Sequence, residues 1–143
     1  GESFDPYAHL AAFSREVAGA GAIASFIGLV RFEGGVRALY IDHFPGLTEA
    51  AITAMVDEAR SRWPLLASLI VHRTGEVAAA DPVVLVAAAA AHRRAALEAC
   101  DFLMDHLKTD APFWKKEIYQ SGSVWIEPRV EDHRDRNRWR CKG

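Results

Sequence analysis

Cysteine, methionine and net charge are all scarce in this sequence. Its 143 residues include two cysteines, Cys100 and Cys141, which form no CxxC pair. They supply neither a disulfide framework nor a thiolate zinc site, and a reducing compartment fits them. Seventeen Lys and Arg against 19 Asp and Glu leave a formal charge of −2. No global field therefore steers the chain to nucleic acid or to an anionic membrane. The longest apolar run, residues 83–91, is far too short to cross a bilayer. No basic region followed by an apolar stretch opens the chain, so a secretory signal is not expected and a cytoplasmic location is. The GxxxxGKS/T, GxGxxG and GxSxG patterns are missing, which leaves nucleotide hydrolysis, dinucleotide binding and serine hydrolase chemistry unsupported. His9, His43, His72, His106 and His133 lack metal-ligand spacing such as HExxH. They read as structural or surface residues, and neither a metal nor another cofactor is expected.

What is present is the balance of a globular protein: half hydrophobic, a quarter charged, and long enough for one domain with a real core. Pro6 opens a short helix carrying Leu10, Phe13 and Val17 at spacings of three and four. Residues 21–31 read as a strand covered on nearly both faces, with Gly28 marking a bulge or a close backbone approach. Residues 36–44 alternate and read as a second strand, hairpin-paired with the first. Thr48 is placed as the N-cap of a helix carrying Ile52, Met55, Val56, Ala59 and Trp63, stopped by Pro64. Residues 65–73 form a third strand. Residues 82–91, almost all Val and Ala, read as its central partner, buried on both sides. A helix over about 92–108 buries Ala96, Cys100, Leu103, Met104 and Leu107, and Pro112 prevents its continuation. Residues 113–119 and 124–128 close a last hairpin around Ser121, Gly122 and Ser123. The fold class is α+β, with a mixed or antiparallel sheet, hairpins and two main helices. Residues 1–128 form a single domain. Residues 129–143, rich in both charges, form a tail that takes order only against a partner.

The chemistry concentrates in residues 92–116, where cations stand at both ends of one packed helix. His92, Arg93 and Arg94 fall where a buried strand ends and a helix begins. The free amides and the positive dipole end already favour an anion there, and a phosphate suits the planar fork of Arg. Lys108 lies in the last helical turn, where a cation is also plain dipole chemistry. Lys115 and Lys116 are adjacent on a strand and face opposite sides, so at most one enters a given pocket. A lysine beside Phe113 and Trp114 can be desolvated and so become a proton shuttle or a nucleophile. Arg31 ends the first strand and Arg129 follows the last one, and, taken alone, each reads as a solvated arginine. Arg93 and Lys108 are fifteen residues apart, about 22 Å along a helix. Either there are two sites, or a second subunit of a two-fold dimer brings its own His92–Arg93 end to the Lys108–Lys115 end of the first.

Several segments together cover most of the chain: FIGLVR (26–31), HFPGLTEAAI (43–52), DEARSRWP (57–64), VHRTGE (71–76), AHRRAALEACDFLMDHLKTDAPFWKKE (91–117) and VWIEPR (124–129). In these the sequence resembles the large, catalytic subunit family of molybdopterin synthase. The resemblance implies an α/β-hammerhead fold and a sulfur transfer. The donor would be the C-terminal Gly-Gly thiocarboxylate of a ubiquitin-like small subunit, and the acceptor cyclic pyranopterin monophosphate. Two rounds would build the dithiolene of molybdopterin. It implies a central homodimer of large subunits with a small subunit at each end. Carried over by motif, it makes Lys108 and Lys115 the catalytic lysines. It makes Arg31, His92 and Arg93 binders of the anionic pterin, with the His-Arg pair reaching in from the neighbouring subunit, and Arg129 a further pocket arginine.

Two features depart from the family pattern. The loop after Arg31, FEGGV, is shorter than usual, and Ala80 stands where the family commonly has Gly before Asp81. Two other readings compete. One is a dimeric adaptor for a ubiquitin-like protein without chemistry of its own. The other is an RNA or nucleotide binder using Arg134, Arg136, Arg138 and Arg140 around Trp139, a reading weakened by Glu131, Asp132 and Asp135 among them.

Overall fold

A computed structural model describes residues 4–126, 134 and 137–139. Among the described residues, helices α1 (Pro6–Glu16), α2 (Leu47–Arg62) and α3 (Arg93–Thr109) accompany seven strands. The strands are β1 (Ala22–Leu29), β2 (Ala38–His43), β3 (Leu65–His72), β4 (Gly75–Ala78), β5 (Pro82–Ala90), β6 (Phe113–Tyr119) and β7 (Gly122–Ile126). They form two sheets, ordered β1-β5-β3 and β4-β2-β6-β7. Every pairing is antiparallel. The α+β class holds, with α2 and α3 as the long helices. No helix among the described residues is long and apolar enough to cross a membrane.

The Val-Ala run is the centre of the first sheet, as its composition requires. Val84, Val86, Ala88 and Ala90 of β5 join the main core with α3, while Ala87 and Ala89 on the other face join Phe13 of α1. Period-two alternation thus sends successive residues into two different cores. Helix α3 supplies the wall of the larger one, burying Ala96, Ala99, Cys100, Phe102, Leu103, Met104 and Leu107.

Three expectations need correction. The first two strands are not a hairpin. β1 pairs β5 in one sheet, and β2 pairs β4 and β6 in the other. The turn Glu33–Gly35, with Gly34 at φ 69° and Gly35 at φ 82°, carries the chain between sheets instead of folding it back. The short strand β4, hidden in the link between β3 and β5, takes the place beside β2. β1 is also less covered than its composition suggests. It is an edge strand, and Ile23, Phe26 and Leu29 remain 39–55% exposed. Lastly, Thr48 does not cap α2. The helix starts at Leu47 after Gly46 (φ 84°), whose amide donates to the Glu49 carboxylate at 2.6 Å. Thr48 is buried and ties two segments together: its hydroxyl accepts from the Phe44 amide (2.9 Å) and donates to the Pro112 carbonyl (2.6 Å).

Gly28 behaves as its place in a strand implies. The β1–β5 register shifts beside it, and a Cβ there would stand 2.7 Å from the Val84 side chain. In the charged segment, Trp139 is buried against Trp63 and Phe102 and donates to Asp105 (2.7 Å), while Arg138 bonds Asp101 and Asp105. Those two residues take their order from α3 of the same chain.

The turn before β5 holds Ala80 at φ 74°, the single positive-φ residue other than glycine among the described residues. That region costs an L side chain roughly 1–2 kcal/mol. Ala80→Gly is therefore expected to stabilise the domain by about 1 kcal/mol, after allowing for the extra freedom of glycine in the unfolded chain. That corresponds to a rise of about 3 °C in Tm, readable by calorimetry. An unchanged or lower Tm contradicts the strain.

Candidate active site

The end of α3, the inner face of the second sheet and the end of β1 enclose a cavity of about 810 Å³. Three cations from three elements line it: Lys108 from α3, Lys115 from β6 and Arg31 just past β1. Met104, Leu107 and Ala111 continue the α3 wall, and Leu39, Ile41 and Phe113 form the sheet wall.

Each cation is held by ordinary local physics. Strand alternation turns Phe113, Lys115 and Glu117 toward the cavity. Lys116 goes to the opposite face, its ammonium 5.4 Å from the Tyr40 ring and 5.1 Å from the Trp125 ring. Its charge is satisfied there by the aromatic faces. The bond from Thr48 to the Pro112 carbonyl fixes the start of β6, two residues before Trp114 and three before Lys115. Arg31 follows a clamped segment: the Val30 amide donates to the Asp81 carbonyl (3.0 Å) and the Ala80 amide to the Val30 carbonyl (2.8 Å). The strained Ala80 turn thus sets where Arg31 leaves the sheet.

The other cations lie elsewhere. His92, Arg93 and Arg94 are exposed at the far end of α3 and do not line this cavity. His92 is the N-cap and makes no side-chain capping bond. The 17-residue helix separates Arg93 from Lys108 by about 22 Å. Arg129 lies outside the described residues, as do His133, Arg136, Arg140 and Cys141.

Three cavity residues were not among the candidates read from sequence: His72, Glu33 and Glu117. His72 ends β3 and stacks on Phe113 with ring centroids 4.2 Å apart. Its Nδ1–H donates to the Arg73 carbonyl at 2.9 Å. Burial lowers its pKa to about 4. The bond to Arg73 opposes that shift, and the charge of Lys115 adds to it. The imidazole is therefore neutral near pH 7. Nothing local in the sequence marks this residue, because 43 positions and a change of sheet separate it from Lys115. Glu117 was legible in principle, since it shares the strand parity of Lys115.

Cys100 does not supply a nucleophile. Its thiol is buried beneath a smaller adjoining hollow and is pushed up to about 11 by burial, with Asp101 adding to the shift. Among the described residues, the cavity offers three cations against two carboxylates, one neutral imidazole and apolar walls. Such a site can hold an anionic group, withhold water from it and stabilise further negative charge as it develops.

The family model described as MoaE protein matches residues 1–110. The molybdopterin synthase catalytic subunit of Caulobacter vibrioides is 49% identical over 139 residues, covering 96% of this chain and 93% of that relative. The Cereibacter sphaeroides subunit of the same name is 46% identical over 139 residues, covering 96% and 95%. Among solved structures, the molybdopterin biosynthesis MoaE protein from Burkholderia ambifaria superposes with a TM-score of 0.82 at 42% identity, covering 96% of this chain and 92% of that one. A protein–protein complex of subunits 1 and 2 of molybdopterin-converting factor from Helicobacter pylori shares the fold, with a TM-score of 0.78 at 22% identity over 89% and 87%.

Proposed function

The chain belongs to the MoaE protein family, and from that premise we propose that it is the catalytic subunit of a molybdopterin synthase, a cytoplasmic sulfurtransferase. The observation that carries the reading is the convergence of Arg31, Lys108 and Lys115 on one cavity in a chain 46–49% identical to catalytic subunits over 139 residues. The donor is the C-terminal Gly-Gly thiocarboxylate of a ubiquitin-like small subunit, and the acceptor is cyclic pyranopterin monophosphate. Both are anions, and a cationic cavity with apolar walls suits them. The two-subunit complex from Helicobacter pylori, which shares the fold, supports a small-subunit partner.

Lys115, half-buried on the cavity wall with Glu117 and His72, stabilises the thiocarboxylate and the oxyanion that forms at its carbonyl carbon during transfer. Lys108, exposed at the cavity edge, moves protons to or from the reacting groups. Arg31 pairs with the pterin phosphate, and Arg129 is a further pocket arginine. His92 and Arg93 serve the cavity of a neighbouring copy, because their own is a helix length away. Exposed Ile23, Phe26, Leu29 and Leu97 offer apolar surface on β1 and α3 for that homodimer.

The reading is tested by mixing the purified chain with a thiocarboxylated small subunit and the cyclic pterin, and following dithiolene formation. Product at catalytic turnover is expected. Tight small-subunit binding with no product would instead leave the non-catalytic adaptor.

A further inference from the structure

Among the described groups lining the cavity, His72 is the one nitrogen base that offers a lone pair while carrying no charge. Its Nδ1–H is committed to the Arg73 carbonyl, which can only accept. The other ring nitrogen, Nε2, is therefore the unprotonated acceptor. The ring orientation is fixed twice, by that bond and by stacking on Phe113. Phe113 and Lys115 lie on the same face of β6, about 7 Å apart along the strand. A lysine side chain extended along the strand covers most of that distance toward the stacked Phe113 and His72 rings. The charge of Lys115 reaches the imidazole strongly enough to weigh against its protonation.

We infer that His72 is a positioning residue for Lys115: its Nε2 lone pair accepts a hydrogen bond from the Lys115 ammonium and keeps that ammonium aimed at the reacting carbonyl. The inference deepens the sulfur-transfer reading and rests on it for its kinetic arm. It also separates the two lysines. Lys115 works against a fixed acceptor on a strand, whereas Lys108 extends from the exposed last turn of α3. A positively charged histidine in this place would repel Lys115 and lose the lone pair at once. Burial against Phe113 keeps the ring neutral. Among the described residues, the charged groups around the cavity are Lys115 and Glu117 from β6, Lys108 from α3, and Arg31 and Glu33 from the segment after β1. Arg73 adjoins on the chain itself. The cross-strand neighbour of His72 on β5 is the uncharged Val84.

Two arms test the inference on the full chain. In the first, the His72 imidazole is titrated by NMR in the wild type and in Lys115→Met. The midpoint near 4 is expected to move up by about half a pH unit or more once the ammonium is gone. An unchanged midpoint overturns the pairing. This arm needs no turnover, so it stands even if sulfur transfer itself is not found. In the second, His72→Phe keeps the stack on Phe113 without a lone pair, and His72→Gln restores an acceptor. His72→Phe is expected to lower kcat by about ten-fold or more with little change in KM for the pterin, and His72→Gln to recover most of it. A kcat within two-fold of wild type in His72→Phe, or equal losses in both variants, overturns the positioning role.

Discussion

Lys115→Ala lowers dithiolene formation by roughly 1,000-fold while small-subunit binding changes by no more than a few-fold. The size follows from what the side chain is asked to do. Removing one preorganised donor from a developing oxyanion costs about 10²–10³-fold. Lys115 stands on the inner face of β6, between Phe113 and Glu117, in a cavity with partly apolar walls. Water cannot replace a fixed ammonium there without reorganising for each turnover. Binding is expected to survive because, in the proposed complex, only the last residues of the small subunit's tail would enter the cavity and the rest of that partner would lie outside it. Fold is expected to survive as well. Lys115 is a half-buried residue on a paired strand, held by backbone pairing with Ile41 on one side and Ile126 on the other. Single-turnover assays and calorimetry of small-subunit binding separate the two effects. Retained turnover would remove Lys115 from the catalytic role.

Mixing two inactive subunits restores activity if the site is shared. In a dimer of Arg93→Ala with Lys115→Ala, one cavity receives both substitutions and the other receives neither. An isolated heterodimer, purified through two different tags, is expected to show about half the wild-type activity, and a fully exchanged equal mixture about one quarter. The reason is geometric. Arg93 opens α3 and Lys108 stands in its last turn, about 22 Å apart on a straight helix. One chain cannot bring both ends to one small ligand. Exposure of His92, Arg93 and Arg94, together with apolar Leu97 one turn further on, suits a face that meets a second copy. A heterodimer no more active than its parents would place Arg93 outside the site.

The share of the fold that is legible in the amino-acid sequence differs from element to element. Helix α3 is legible almost residue for residue, because Ala96, Cys100, Leu103, Met104 and Leu107 repeat at helical spacing and all five are buried. The central place of β5 is also legible, since only a strand covered on both faces tolerates nine consecutive apolar residues. The opposite facing of Lys115 and Lys116 follows from strand parity alone. The pairing of β1 is misread because a Gly-Gly link between two alternating segments resembles a hairpin. The competing claim of β5 on β1 is made over a separation of about sixty residues and leaves no local mark. Trp139 reads as part of a polar tail. Its burial depends on Trp63, Phe102 and Asp105, which come together only once α2 and α3 have packed.

The same division runs through the site. Composition and periodicity by themselves determined the α+β class, the helix that ends in Lys108, the strand that presents Lys115, and the absence of thiolate or nucleotide motifs. These are short-range properties, set by side-chain spacing against the 3.6- and 2-residue repeats of the backbone. Only the tertiary structure decided that Arg31, Lys108, Lys115 and His72 surround one cavity. The separation of His92 and Arg93 from Lys108, by contrast, was already set by the length of the helix that the sequence predicts. Which sheet a strand joins, and which imidazole lies beside which lysine, follows from long-range burial, and that is not written in any local stretch of sequence.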